Sequence, residues 1–324
     1  MSDINSLLAL PHLRVQNANA ISSPLTWGFP AMSAFIGFMH ALERRLQGEL
    51  DLIFNGVGVI CHTHDVQISR AGYNKRFHLT RNPIDKTGAT AAITEEGRMH
   101  MEISLVFDVE GSACKGDNAQ RDEIAHRIYD VVHGMRIAGG SLLPRRPNQG
   151  RNHAPIIATL SDQEEQRAKQ FRNLRRHWLP GFALVLREDR LEQRHAEMLA
   201  ADQTTTRLDA WLDFSRLHHD CVQATDDAGE PVGKPFWEIR STPGWTVPIP
   251  VGYSALSDEH APGQVARARD ERTPFRFVES LYSIGEWVGP HRLRRPESLL
   301  WYVDNDLEHG VYRLNNDYIP NTSS

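Results

Sequence analysis

Cysteine is scarce in this chain of 324 residues: Cys61, Cys114 and Cys221 are an odd number in no metal-ligand spacing. That excludes a disulfide framework and a cysteine-rich zinc site. Lysine is scarce too, with five residues against 31 arginines. No apolar run approaches the ~18 residues of a membrane span. The N-terminus, MSDINSLLALPHL, lacks the basic flank and long apolar core of a signal peptide. No repeat of fixed period is present, which argues against solenoids and propellers. No P-loop, His-Glu-x-x-His or G-x-S-x-G pattern occurs, and the aromatic signature of an RNA-recognition motif is missing. The expectation is a soluble cytoplasmic protein with no membrane partner, no cofactor and no resident metal.

What is present is ordinary globular material, 40% apolar and 24% charged, with a formal net charge of −5. The length predicts about two domains, placed at 1–150 and 151–324. In the first, Leu13 and Val15 alternate with polar residues as a short strand. Phe35, Ile36, Met39, Leu42 and Leu46 fall at helical spacing over Ser33–Gln47, with Ser33 as N-cap candidate. Ile53–Cys61 reads as a buried strand. Arg98–Val109 reads as the clearest strand, with Met99, Met101, Ile103, Leu105, Phe107 and Val109 on one face. A helix over Ile124–Met135 and a strand over Ile137–Leu143 complete the unit. This order, strand–helix–strand–strand–helix–strand, predicts an α+β, ferredoxin-like (RRM-like) domain. A polar insertion of about 63–97 separates its second and third strands, too long for a hairpin loop. The second half predicts a mixed α/β region: helices over Gln163–Trp178, Asp189–Ala200 and Arg207–His218, strands at Phe182–Leu186, Trp245–Pro250, Leu299–Val303 and Val311–Leu314, and a turn-rich acidic loop at 224–233.

The charges cluster. Between Val66 and Thr94 stand Arg70, Lys75, Arg76, Arg81 and Lys86 against Asp85 alone; between His133 and His153 stand Arg136, Arg145, Arg146 and Arg151 with no acid. A third acid-free run, Gln166–Trp178, holds five basic residues. Arginine grips phosphate with a planar fork, and such runs suit a polyanion; a solvated face accounts for the same pattern. The segment Gln16–Pro30 packs Asn17, Asn19, Ser22, Ser23 and Thr26 between a strand and a helix, where they can bond ligand oxygens or cap their own loop. Trp27 is suited either to stacking on a base or to filling the core. Cys61, His62, His64 and Asp65 alternate across a strand, so they do not converge on one tetrahedral site.

Eight stretches carry a family resemblance: QNANAISSPLTWGFP (16–30), LTRNP (79–83), AGGSLLP (138–144), LPGFALV (179–185), PGWTVPIP (243–250), ARDERTPFRFVE (268–279), GEW and PHR (285–292) and LLWY (299–302). In these the chain closely resembles the Cas-five-like second Csy subunits of type I-F CRISPR surveillance complexes, within the RAMP superfamily. The resemblance implies a ferredoxin-like fold with an inserted thumb. It implies a non-catalytic subunit that caps the 5′ handle of the guide RNA (crRNA) in antiviral defence. It implies pairing with the large subunit and the first backbone subunit, with target DNA met only indirectly. On this reading Asn17, Asn19, Ser22, Ser23, Thr26 and Trp27 contact the handle. Arg70, Lys75, Arg76, Arg81 and Asn82 bind its backbone. The Gly139–Gly140–Ser141 turn lets RNA approach the main chain. Arg276, His291 and Arg292 serve a partner interface or the fold. The alternative is a repeat-RNA-cleaving endoribonuclease of the same superfamily, which needs a positioned acid and base; a generic RNA-recognition protein is a third reading.

Overall fold

The computed structural model describes residues 4–320 except 73, 82, 85, 86, 91, 145–152, 226–230, 241–243 and 269. Asn82, Lys86, Arg145, Arg146 and Arg151 therefore lie outside the described residues. The chain is mixed α+β, built on one large, antiparallel sheet.

Its first part runs β1 (Ser6–Asn19), α1 (Met32–Leu46), β2 (Ile53–Val66), β3 (Ile68–Ala71), β4 (Asn74–Arg81), β5 (Ile93–Glu96), β6 (Arg98–Glu110), α2 (Asn118–His133), β7 (Arg136–Ile137) and β8 (Gly140–Leu142). The long strands pair in the order β2–β6–β1–β8. The apolar stripe of α1 (Phe35, Ile36, Met39, Leu42) and that of α2 (Ala125, Ile128, Val132) bury against Met101, Leu105 and Phe107 of β6. Asp117 and Gln120 form a reciprocal capping box that starts α2. Helix α1 begins one residue before the expected Ser33 cap; Ala31 holds the cap position and offers no side-chain bond. The predicted strand at 137–143 is instead the β7–β8 hairpin, because Ala138 and Gly139 both take positive φ (48° and 76°).

The insertion is folded. Strands β3, β4 and β5 form their own three-stranded sheet between β2 and β6.

The second part runs β9 (Ile156–Thr159), α3 (Glu164–Arg176), β10 (Phe182–Leu186), α4 (Glu188–Ala201), α5 (Arg207–Ser215), β11 (His218–Thr225), β12 (Pro231–Arg240), β13 (Thr246–Ala255), β14 (Val278–Val288), β15 (Trp301–Asp306) and β16 (Val311–Asn316). These strands extend the same sheet. β9 pairs with the start of β1, and both β10 and β15 pair with β2. The pairings β2–β10–β14–β13–β16–β15–β2 close a ring. Trp301, fully buried, donates its indole N–H to Leu184 O at 2.8 Å and ties β15 to β10. The second face of β6 keeps its polar residues but is partly buried too: Ser104 and Asp108 are buried there, and Val106 joins a second core with Ile60, Ala183 and Trp178. Among the described residues no helix is long and apolar enough to cross a membrane.

Candidate nucleic-acid interface

The loop after β1 is a self-stapled structure. Thr26 Oγ1 lies 2.7 Å from both Ser22 Oγ and Ser23 Oγ, and the backbone N–H groups of Ser22 and Ser23 donate to Thr26 O. Asn19 bonds Ile21 through both ends of its amide. Ser23 and Thr26 are buried. These four side chains hold the loop's shape, so the surface they offer is the loop itself. Asn17 differs. It takes φ 57°, accepts from Gln67 Nε2 at 2.7 Å, and its N–H donates to His100 Nδ1 at 3.3 Å. It thereby joins β1 to the entrance of the insertion.

Trp27 is 46% exposed and meets the insertion. Phe77 packs edge-on against it at 5.6 Å, and Lys75 Nζ stands over its ring at 5.5 Å, within cation–π range. Cross-strand partners share a face. The register Arg70↔Lys75, Ile68↔Phe77 and Arg81↔Ile93 therefore puts Arg70, Lys75 and Arg81 on the Trp27 side. Arg76, opposite Ser69, lies on the other side. Among the described residues no carboxylate pairs with any of these four. Like charges directly opposite, as at Arg70 and Lys75, cost stability unless something neutralises them.

The loop also borders a groove of about 830 Å³. Asn19, Ser22, Arg136 and Gly139 line it, with the small residues Ala34 and Gly37 of α1 as its floor. Asn19 N–H donates to Ala138 O at 2.8 Å, which fixes the Gly139 turn beside the loop. The three residues of that turn differ. Gly139 is open to solvent. Ser141 is exposed and pairs with Gln16. Gly140 is buried under β1, where an added Cβ would meet Ala18 N and Gln16 O at 2.8 Å. Gly140 is thus needed by strand packing. Gly140→Ala is expected to cost about 1–3 kcal/mol by overpacking, read as a lowered thermal midpoint, while Gly139→Ala meets no atom within 4 Å and is strained only by its φ.

Three histidines from distant segments stack beyond the loop. His12 lies 4.0 Å from His62 and 3.9 Å from His153, centroid to centroid. His12 Nδ1 is 2.6 Å from Glu102 Oε1; His62 is held by Pro180 O and Ser104 Oγ, each at 2.7 Å. Burial pushes the His62 imidazole down to about 4; the Pro180 carbonyl and Glu102 oppose this, and His12 and His153 add to it. An unfolded histidine protonates near pH ~6.5. Between ~6.5 and 4 the unfolded chain therefore binds more protons, and this site loses stability as pH falls. Asp108 works in the opposite sense, since burial, then Glu110 and Glu297, push its carboxyl up to about 6. The difference between wild type and His62→Gln isolates the histidine. Wild type is expected to lose about 2–3 kcal/mol relative to the variant from pH ~7 to ~4.5. Parallel melting curves across that range would refute it.

The family model for the CRISPR-associated protein Cas_Csy2 matches residues 8–314. The chain belongs to the Csy2 family. It is 46% identical over 317 residues to the CRISPR-associated protein Csy2 of Pseudomonas aeruginosa (strain UCBPP-PA14), covering 97% of this chain and 96% of that one. Csy2 membership makes the chain a subunit of the type I-F Csy system, with other Csy subunits as its partners. Of the expected interface residues in the second half, Arg292 reaches Glu286 Oε1 at 3.5 Å, an internal pairing. The His291 ring packs under Gly289, and Arg276 is half-buried beside Gly310. In the third basic run, Arg167 pairs with Glu297 at 3.0 Å and Arg175 donates to Leu293 O, so part of that run serves the fold. Sequence reasoning missed Gln67, His100 and Arg136. The first two carry no periodic signal, and Arg136 was visible only as one member of a charge run.

Proposed function

We propose that this Csy2-family chain is a non-catalytic RNA-binding subunit that caps the 5′ handle of the crRNA within the type I-F surveillance complex. The handle runs along the groove between the 16–30 loop and the Gly139 turn. The β3–β5 sheet acts as a thumb whose basic face grips the phosphates. The observation that carries this is the placement of Arg70, Lys75 and Arg81 on the side that meets Trp27, with no carboxylate partner among the described residues. Single-stranded RNA is held by such combinations of cations and aromatic platforms. Arg76 is assigned to the outer side of the thumb.

The strand order β2–β6–β1–β8 with two helices on one face supports a ferredoxin-like, RAMP-type first domain at about 1–150. Residues 151–324 are then the region packed alongside it. We assign pairing with the large subunit and the first backbone subunit to this chain, with Arg276 and His291 as interface candidates; target DNA is contacted through those partners. The test is co-purification. The tagged chain, expressed with the other Csy subunits and a guide array, is expected to retain guides with intact 5′ handles. Arg81→Ala with Asn82→Ala is expected to release much of that RNA. An assembled complex that retains no RNA would overturn the reading, and so would guides shortened by the pure chain alone.

A further inference from the structure

A second cavity, of about 350 Å³, opens on the other side of the 16–30 loop. Its walls are aromatic. Phe29 packs edge-on against Trp287 at 4.9 Å, Trp287 lies 6.1 Å from Trp245, and Trp245 meets Phe182 edge-on at 5.3 Å. Trp27 closes the fourth side. Burying such rings is the ordinary outcome, since each removes a large apolar area from water. Here three are left part open: Trp245 is 48% exposed, and Trp27 and Phe182 are 46% exposed each.

The cavity shares walls with the groove, since Ser22, Pro30 and Ala31 line both. Its rim at Trp27 carries Lys75, on the same basic face as Arg70 and Arg81. A polyanion lying in the groove therefore passes the cavity mouth with its phosphates against cations. We infer that the cavity receives one unstacked nucleobase of that RNA, stacked on the Trp245 and Trp27 rings; this rests on the RNA-binding reading above.

Some polar groups of the cavity are engaged, whereas His64 and the indole N–H groups of Trp27, Trp245 and Trp287, which also line it, make no side-chain hydrogen bond among the described residues. Both His62 ring nitrogens are bonded, Ser22 Oγ is bonded to Thr26, and Cys61 Sγ points to Thr63 O. The cavity therefore holds a base by its π-face against aromatic walls. Its contribution is to fix the register of the strand.

The test uses the assembled Csy complex reconstituted on guides with one abasic nucleotide placed at successive 5′ positions. One abasic position is expected to weaken retention by about 5- to 150-fold, the range for loss of one stacked base. Trp245→Ala is expected to give a similar loss on the intact guide and no further loss on that abasic guide. Trp245→Phe, which keeps a ring, is expected to restore most of the binding and serves as the folding control. Additive losses, or unchanged RNA retention by Trp245→Ala, would overturn the base site. In that case a loss with Arg70 and Arg81 replaced leaves the groove reading standing. Loss of a protein subunit with the RNA retained would instead make the cavity a protein anchor and also overturn it.

Discussion

Glu286→Ala is expected to destabilise the chain by about 3 kcal/mol, the lower end of the cost of breaking a buried ion pair. Glu286 sits in β14 with its side chain 1% exposed. It accepts from the buried Arg187 and has Arg190 at 3.7 Å and Arg292 at 3.5 Å. Removing the carboxylate leaves three guanidinium groups facing one another. Arg187 keeps one partner, the two oxygens of Asp189 at 2.8 Å, which is why the low end applies. The local backbone is fitted to this carboxylate: Gly244, at φ 80°, has room for no Cβ, which would lie 2.7 Å from Glu286 Oε1. Urea unfolding checks the magnitude, as a lower midpoint at unchanged slope. Arg187→Met combined with Glu286→Leu is expected to be milder than Glu286→Ala, because the buried Arg187 charge is then removed with its partner, and the groups left over, Arg190, Arg292 and Asp189, all reach solvent. A double variant as unstable as the single would show that packing, rather than charge, governs the site.

Replacing Arg70, Lys75 and Arg81 together with alanine is expected to lower RNA affinity about 100-fold at ~0.1 M salt. Each phosphate contact to a single strand adds about 0.7 to the slope of log affinity against log salt, so three contacts add about 2. The same variant should therefore show a salt dependence shallower by about 2. Stability should change little or rise, since Arg70 and Lys75 face each other across the β3–β4 pair with no acid between them. Arg76→Ala, on the opposite face, is expected to lose far less. Binding isotherms of the complex at several salt concentrations read both quantities. An unchanged slope would mean that these residues do not touch phosphate.

The elements legible in the sequence were those with one continuous apolar face. Helix α1 and strand β6 stand within a residue or so of their expected bounds, because their apolar spacing is set by the core they share. Strand β14 was invisible because Ser283, Gly285 and Glu286 are polar or small yet buried, and Glu286 is buried only by virtue of arginines from elsewhere in the chain. Strands β11 and β12 were invisible for the opposite reason. They form a two-stranded ribbon whose Phe236, Trp237 and Ile239 are all exposed, so no alternation marks them. The insertion was legible as a basic segment, but the division of Arg76 from Arg70, Lys75 and Arg81 needs the strand register. The loop at 16–30 was legible as unusual; that Ser23 and Thr26 spend their oxygens on each other is a fact of three dimensions. The aromatic cavity draws Trp27, Phe182, Trp245 and Trp287 from four distant segments, and no local pattern joins them.

The closed ring of strands also sets an order of assembly on the ribosome. When residues up to 142 have emerged, β2 has β6 on one side and nothing on the other. That bare edge includes Val57, Ile60 and Cys61, whose partners are Trp301, Ala183 and Phe182. The last strand of the ring, β16, ends at Asn316. Until β10 and then β15 emerge, the nascent chain thus carries an open apolar strand edge at β2, the condition under which edge-to-edge association begins. Ribosome-released fragments ending before residue 300 should aggregate, whereas the completed chain closes its own edge.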